Sequence, residues 1–95
     1  MLTGKQKSYL RSEAHHLQPI FQIGKGGLTE PIIKQIEEAL EARELIKVSI
    51  LQNCEEDKNT IAERLQEEGI EVAQVIGKIL VLYKESKEKK RIVLP

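Results

Sequence analysis

The stretch that decides the fold runs Ile20-Phe21-Gln22-Ile23-Gly24-Lys25-Gly26-Gly27-Leu28-Thr29. Its apolar first part is typical of a short strand, and the glycines that follow mark a loop. Thr29 is a favourable N-cap residue, and Pro31 falls in the first helical turn, where its missing N–H is not needed. Apolar residues then repeat at helical spacing: Leu28, Ile32, Ile36 and Leu40. The stretch therefore predicts a strand, a loop and a helix in succession.

The loop has the pattern Gly24-x-x-Gly27, with Lys25 inside it. Glycine allows positive φ and has no Cβ to block the close approach of another chain. A helix that begins near Thr29 would direct unpaired N–H groups and its positive dipole end toward the same place. Loops of this kind clamp nucleic-acid backbone in KH-type RNA-binding modules. Glycine-rich turns before helices also occur without any ligand, so the loop alone leaves both interpretations open.

The rest of the sequence predicts further helices and strands. Thr3 is expected to cap a first helix that runs to about residue 16. The buried stripe of that helix is expected to contain Tyr9, Leu10, Ala14 and Leu17. A strand is expected over residues 45–51, followed by a helix that Gly69 ends. A hairpin is expected last, with strands at residues 72–76 and 79–83 around a Gly77-Lys78 turn.

This element order, αβαβαββ, predicts an α/β fold in two layers. Helices that alternate with strands favour parallel pairing, and the terminal hairpin requires one antiparallel strand. We therefore expect a mixed four-stranded sheet with one antiparallel strand, packed against the helices. Residues 1–84 are expected to form a single domain. Residues 85–95 form a charged tail, in which residues 92–94 could add a short edge strand.

The composition of the chain favours a single soluble domain in a reducing compartment. Ninety-five residues suit one small core, and the one cysteine, Cys54, cannot form an intrachain disulfide. The longest apolar runs are too short to cross a bilayer, and the N-terminus lacks the apolar core of a signal peptide. We therefore expect a cytoplasmic protein that is monomeric and has no membrane partner.

Charge is balanced over the whole chain but segregated along it. The 15 basic residues (Lys and Arg) equal the 15 acidic ones (Asp and Glu) in number. Residues 1–27 and 71–95 each carry a net charge of +3, whereas residues 28–70 carry −6. Such segregation allows a local positive field even when the total cancels. The basic N-terminal segment lies next to the glycine loop in sequence, so the two could share a surface.

Motifs for catalysis or cofactor binding are incomplete. A P-loop is missing, and the dinucleotide pattern that starts at Gly24 meets Thr29 where its third glycine belongs. His15 and His16 are adjacent, so on a helix they point about 100° apart and cannot share a metal ion in the usual i, i+4 manner. The acidic residues that follow Cys54 disfavour a reactive thiolate. We therefore expect no enzyme activity, no cofactor, no metal site and no small-molecule substrate.

Five ordered blocks of the sequence resemble the CRM family, whose name stands for chloroplast RNA splicing and ribosome maturation. They lie at residues 2–11, 14–19, 23–29, 39–48 and 75–84, and they include Leu2-Thr3-Gly4-Lys5-Gln6-Lys7, Ile23-Gly24-Lys25-Gly26-Gly27 and Val75-Ile76-Gly77-Lys78. The resemblance covers about residues 2–84 and is to stand-alone bacterial members. It implies a fold similar to the C-terminal domain of bacterial translation initiation factor three. It also implies RNA binding, with ribosomal RNA or a precursor of the large ribosomal subunit as the partner and ribosome assembly as the role.

The resemblance places Gly24 and Gly27 on the family's Gly-x-x-Gly loop and Lys25 where a base that contacts RNA backbone is expected. The expected RNA-binding residues are the loop, the basic positions of the first helix and two lysines of the sheet: Gly24, Lys25, Gly26, Gly27, Lys5, Lys7, Arg11, Lys47 and Lys84. Aromatic residues make up only 3% of the chain. Their scarcity favours recognition of RNA backbone and shape over base stacking.

Two other functions are consistent with parts of the sequence. A protein-interaction adaptor could dock through the acidic second and third helices, with the glycine loop purely structural. A metal or thiol sensor could use His15, His16 and Cys54. RNA binding and protein docking differ in their response to salt, because counterion release makes RNA binding weaken steeply with ionic strength.

Overall fold

The computed structural model describes residues 2–95, which contain three helices and four strands. In chain order these are α1 (Gly4–Ala14), β1 (Pro19–Ile23), α2 (Glu30–Arg43), β2 (Leu45–Ile50), α3 (Lys58–Glu67), β3 (Glu71–Ile76) and β4 (Ile79–Tyr83). The predicted order αβαβαββ is confirmed. Across residues 2–95, no helix has the length and apolar character that crossing a bilayer requires.

The first helix begins at a capping box. The N–H of Gln6 donates to Thr3 Oγ1 at 3.1 Å, and the Thr3 N–H donates to Gln6 Oε1 at 3.0 Å. These two bonds satisfy N–H groups that a helix start would otherwise leave unpaired, so the predicted cap at Thr3 is confirmed. Leu10 and Ala14 are the buried residues of α1, and Leu17 beyond its end is half-buried. The helix ends at Ala14, slightly earlier than predicted.

The second helix also begins where the sequence predicts. Thr29 is its N-cap, with extended backbone, and Pro31 lies in the first turn. The buried residues of α2 are Ile33, Ile36 and Leu40. Ile32, which the helical spacing places in this stripe, is only half-buried. The helix ends at Arg43, and its C-cap residue Glu44 has φ +63° in the left-handed region that favours glycine.

The four strands form one mixed sheet in the order β1-β2-β4-β3. β1 pairs with β2 in parallel, and β4 lies between β2 and β3 and is antiparallel to both. The predicted mixed sheet with one antiparallel strand is therefore confirmed. Gly77 has φ +55° in the tight turn between β3 and β4, which agrees with the predicted hairpin.

Apolar side chains cover both faces of the sheet. On one face, α2 and α3 enclose a core that includes Ile46 and Val48 of β2 and Leu80 of β4. On the opposite face, α1 packs on a smaller cluster that includes Val81 and Tyr83 of β4. Because side chains alternate along a strand, the central strands supply apolar residues to both sides. Helices therefore lie on both faces, which gives three layers where two were expected.

The C-terminal tail is held against the domain without forming a strand. The buried carboxylate of Glu44 accepts hydrogen bonds from the N–H groups of Ser86 and Ile92, both at 2.8 Å, and from that of Arg91. The short edge strand expected at residues 92–94 is not formed, since a carboxylate and not a neighbouring strand takes these donors. Ile92 and Leu94 pack instead against the cluster on the α1 face.

Candidate nucleic-acid interface

The glycine loop lies at the edge of the sheet where the parallel strands β1 and β2 end. Ile23, the last residue of β1, pairs with Ile50, the last residue of β2. The turn between β3 and β4 lies at the same end, because Ile79 at the start of β4 pairs with Ser49 near the end of β2. This edge therefore combines the loop, the residues that follow β2 and the turn at Gly77.

A hydrogen bond closes the loop into a tight turn. The N–H of Gly27 donates to the carbonyl oxygen of Gly24 at 2.9 Å. Lys25 and Gly26 form the exposed tip between them. Within residues 2–95, neither tip residue has a hydrogen-bond or ion-pair partner. Their backbone N–H groups and the lysine ammonium can therefore bind an external anion.

The glycines of the loop have different structural requirements. Gly27 has φ +71°, and a Cβ built there would stand 2.2 Å from Oε1 of Glu56. A Cβ at Gly24 or Gly26 would meet only ordinary van der Waals contacts, at 3.7 and 3.8 Å. A residue with a Cβ at position 27 would therefore be strained and would displace Glu56. At positions 24 and 26 the protein leaves space that a ligand could use.

Glu56 holds the C-terminal side of the loop. Its Oε1 accepts the N–H of Leu28 at 2.6 Å. Arg64 of α3 donates from Nη1 to both oxygens of the same carboxylate, at 3.0 and 3.2 Å. The N–H groups of Gly27 and Leu28 are thus used within the protein. The loop donors that remain available to an anion are therefore those of Lys25 and Gly26, at the tip.

Beside α1, the sheet face carries an open groove of about 390 Å³. Lys47, Val81 and Gln74 form one row across three neighbouring strands and line it. Arg11 and His15 line it from α1. No carboxylate lies among the described residues that line this groove, although the chain has as many acidic as basic residues. The groove therefore concentrates positive charge that the net charge conceals.

Strand β2 leads from this groove toward the glycine loop. Lys47 and Ser49 lie on the same face because they are two residues apart in a strand. Ser49 pairs with Gln22, two residues before Gly24. Leu51 then donates its N–H to the carbonyl of Ile23 at 2.9 Å, directly beside the loop. Strand β2 thus connects the groove on the α1 face with the loop at the end of the sheet.

The other basic residues of α1 flank this groove. Lys7 precedes Arg11 by four residues, and His15 follows it by four, so the three lie along one edge of the helix. Arg11 is exposed and Lys7 is half-buried. Lys5 is exposed, also outside the buried stripe. The structure therefore brings Lys7, Arg11 and Lys47 to one side, with Lys5 nearby on the same helix.

Lys84 lies away from the glycine loop. It follows the end of β4, where Tyr83 pairs with Leu45 at the start of β2. That end of the sheet is opposite to the glycine loop, because β4 runs antiparallel to β2. The Lys84 ammonium is 3.4 Å from a carboxylate oxygen of Glu37. The structure therefore does not bring Lys84 together with the other expected RNA-binding residues.

Three residues of this region are not identified by sequence reasoning. His15 is not among the expected RNA-binding residues, although its four-residue spacing from Arg11 is a visible signal. Glu56 has no local signal, because it meets Leu28 across 28 positions of the chain, and Arg64 is linked to the loop only through Glu56. Among residues 2–95, no cluster of three or more His, Cys, Asp or Glu residues could hold a metal ion.

The three aromatic side chains are engaged within the protein. Tyr83 is buried on the α1 face, and Phe21 packs against the core on the opposite face. The Tyr9 hydroxyl donates to a carboxylate oxygen of Glu13 at 2.9 Å, and this bond raises the pKa of Tyr9. Base stacking would need an exposed aromatic face. The interface instead offers cations, N–H groups and polar side chains.

Much of the acidic charge of α2 is compensated internally. Glu37 pairs with Lys84. Glu41 accepts the N–H of Lys87 at 2.9 Å and the Ser86 hydroxyl at 2.7 Å, and these bonds lower the pKa of Glu41. These carboxylates hold parts of the protein together. They are less free to dock a partner than their number suggests.

The protein is an α/β domain with a glycine loop at one end of its mixed sheet and a cationic groove beside α1. The family model of the CRS1 / YhbY (CRM) domain matches residues 2–84, and the chain belongs to this family. The family predicted from the five sequence blocks is thereby confirmed.

Similar proteins match this chain over almost its full length. This chain is 68% identical over 96 residues to "Probable RNA-binding protein YqeI" of Bacillus subtilis (strain 168), with 100% of both chains covered. It is 44% identical to an "RNA-binding protein" of Haemophilus influenzae, with 99% of this chain and 95% of that one covered. A solution structure of the hypothetical protein SAV1595 from Staphylococcus aureus, described as "a putative RNA binding protein", has a TM-score of 0.83, 61% identity and 100% coverage of both chains.

Proposed function

We propose that the protein binds RNA through its phosphate backbone, using the Gly24–Gly27 loop and the groove between α1 and the sheet. The observation that carries this function is that strand β2 connects two sets of hydrogen-bond donors. The unpaired tip of the loop, at Lys25 and Gly26, is followed along β2 by the groove that Arg11 and Lys47 line. Lysine, arginine and backbone N–H groups are the usual donors to phosphate oxygens. The names of the relatives support RNA as the ligand.

We infer that the RNA partner is ribosomal RNA within a precursor of the large subunit, and that the protein acts in ribosome assembly. The basis is the resemblance to bacterial family members. A surface that contacts backbone and shape suits a large structured RNA, in which the spacing of phosphates is fixed. The protein would act as a monomer in the cytoplasm and catalyse no reaction. The similarity of its fold to the C-terminal domain of translation initiation factor three stays a prediction.

The adaptor function has less support. Two of the four glutamates of α2, Glu37 and Glu41, are bonded within the protein and are not free for a docking partner. The groove beside α1, in contrast, holds Arg11 and Lys47 without a carboxylate among its described lining residues. Uncompensated cations point to an anionic ligand. RNA binding therefore explains more of the charged features of the surface than protein docking does.

Two measurements test the proposed function. The affinity of the purified protein for a fragment of large-subunit ribosomal RNA is measured by fluorescence anisotropy at several salt concentrations. We expect log K to fall linearly with log salt, because each phosphate that the protein neutralises releases counterions. Cell lysate is then fractionated on a density gradient, and the protein is expected with large-subunit precursors. Affinity that does not change with salt would contradict the phosphate contacts, and migration away from ribosomal fractions would contradict the assembly role.

A further inference from the structure

The glycine loop is supported by a residue far away in sequence. Glu56 lies between β2 and α3, yet its carboxylate accepts the N–H of Leu28 at 2.6 Å. The backbone of Gly27 lies so close to this side chain that no Cβ fits between them. Glu56 is about one quarter exposed, so protein surrounds most of its side chain. The interaction therefore fixes the point where the loop joins α2.

Arg64 in turn fixes Glu56. Its Nη1 donates to both carboxylate oxygens, at 3.0 and 3.2 Å. Arg64 belongs to α3, which Ile61 and Leu65 anchor fully buried in the core. Charge-assisted hydrogen bonds of this kind are stronger than neutral ones. A chain of hydrogen bonds thus runs from the rigid core through Arg64 and Glu56 to Leu28.

We propose that Glu56 is a positioning residue of the RNA-binding loop: it holds the turn so that the donors of Lys25 and Gly26 are already ordered before RNA arrives. This inference rests on the proposed function. Glycine loses more conformational freedom on ordering than any other residue, and the loop has three glycines in four positions. Ordering a flexible loop during binding weakens affinity, and a loop that is ordered beforehand avoids that loss.

Simple electrostatics makes the opposite prediction for this residue. A carboxylate beside a phosphate-binding loop repels RNA, so its removal should strengthen binding if charge were its only effect. If Glu56 orders the loop, its removal should weaken binding although the net charge becomes more positive. The sign of the change therefore separates the two roles.

The test compares Glu56→Ala with Glu56→Gln. Glutamine keeps an oxygen that can accept the Leu28 N–H, whereas alanine keeps none. RNA affinity is measured well below the melting temperature of each variant, with circular dichroism to show that it is folded. We expect Glu56→Ala to bind RNA at least about threefold more weakly and Glu56→Gln to remain within about twofold of the wild type. Unchanged or tighter binding by Glu56→Ala would refute the positioning role.

A second measurement determines how ordered the loop is in the absence of RNA. NMR order parameters of the Lys25 and Gly26 amides should fall in Glu56→Ala and stay near the wild-type values in Glu56→Gln. Unchanged order in Glu56→Ala would also refute the positioning role. A wild-type protein that binds no RNA would refute the proposed function instead, so the two failures are distinguishable.

A double-mutant cycle shows whether Glu56 acts through the loop tip. In a Lys25→Ala background, the effect of Glu56→Ala on affinity should shrink, because a main donor of the ordered loop has already been removed. A full and additive effect would mean that Glu56 influences binding by another route, and it would refute the proposed mechanism.

Discussion

The backbone of Gly27 lies directly against the Glu56 side chain: a Cβ built on residue 27 would stand 2.2 Å from Oε1 of Glu56. Residue 27 also has φ +71°, a conformation that residues with a Cβ rarely adopt. Both constraints come from the protein itself and need no RNA. Gly26, one residue earlier and at a variable position of the Gly24-x-x-Gly27 pattern, has neither constraint.

Gly27→Ala should therefore destabilise the protein. The left-handed conformation alone costs a residue with a Cβ about 1–2 kcal/mol. The displaced Glu56 would also lose its hydrogen bond with Leu28. In a domain of this size, about 1 kcal/mol corresponds to a fall of roughly 4–8 °C in Tm. Thermal unfolding followed by circular dichroism measures the change. Gly26→Ala is the matched control and should leave Tm nearly unchanged, so equal Tm values for the two variants would contradict this assignment.

The combined substitution Lys25→Asp and Gly26→Asp should abolish most RNA binding without unfolding the protein. It places two negative charges where a phosphate is expected and adds a Cβ at position 26 that can obstruct its approach. We expect affinity to fall at least about tenfold, which is roughly 1.4 kcal/mol. Lys34→Asp with Gln35→Asp, on the exposed side of α2, makes the same change in net charge and should have little effect. Full binding by a folded Lys25/Gly26 variant would show that the loop is not the clamp.

The sequence predicts this fold well where local patterns determine it. The cap at Thr3, the proline in the first turn of α2 and the glycine in the last hairpin all follow from local backbone chemistry. Periodicity also identifies buried residues, but it does not say which face of the sheet they cover. The placement of α1 on the second face, which brings Arg11 beside Lys47, is therefore not predictable from the sequence. The same holds for Glu56, whose hydrogen bond with Leu28 depends on the tertiary fold.

The cationic groove should determine the salt dependence of binding. Changing Lys7, Arg11 and Lys47 together to glutamine removes three charges from one side of the molecule. The slope of log K against log salt should then decrease by up to about 0.7–0.9 for each phosphate that the protein no longer neutralises. The measurement is a salt titration of RNA affinity by fluorescence anisotropy.

The control is a second triple variant, in which Lys34, Lys87 and Lys89 are changed to glutamine. It removes the same amount of charge, but away from the groove. Lys34 and Lys87 are exposed beside glutamates of α2 and the tail, and Lys89 is exposed two residues further along the tail. Arg64 and Lys58 are unsuitable as controls, because Arg64 binds Glu56 and the Lys58 ammonium donates to the carbonyl of Gly77 at 3.2 Å. Equal decreases of slope in both triple variants would mean that charge segregation does not organise the binding surface.

The attachment of the tail should depend on pH. Burial raises the pKa of Glu44, but N–H donors from Arg91, Ser86 and Ile92 outweigh burial and lower it below its ordinary value of 4.5. The ionised carboxylate therefore stabilises the fold above that pH, and this stabilisation is lost as pH falls through the lowered pKa. Glu44→Gln, which cannot ionise, should reduce Tm at about pH 7, and the difference from wild type should narrow toward about pH 3. Thermal unfolding at several pH values measures the difference in Tm between Glu44→Gln and the wild type. A difference that does not change with pH would contradict this role of the Glu44 charge.

The protein should bind structured RNA with little preference for a short sequence. Discrimination by base stacking needs exposed aromatic side chains, but Tyr83 is buried, Phe21 packs on the core and Tyr9 is bonded to Glu13. The donors at the interface are cations and N–H groups, which bind phosphates that are alike in every sequence. Selection from a pool of random RNA should therefore recover folded shapes with diverse sequences. One short linear consensus, bound far more tightly than its scrambled version, would show that base edges are recognised and would contradict a backbone-reading surface.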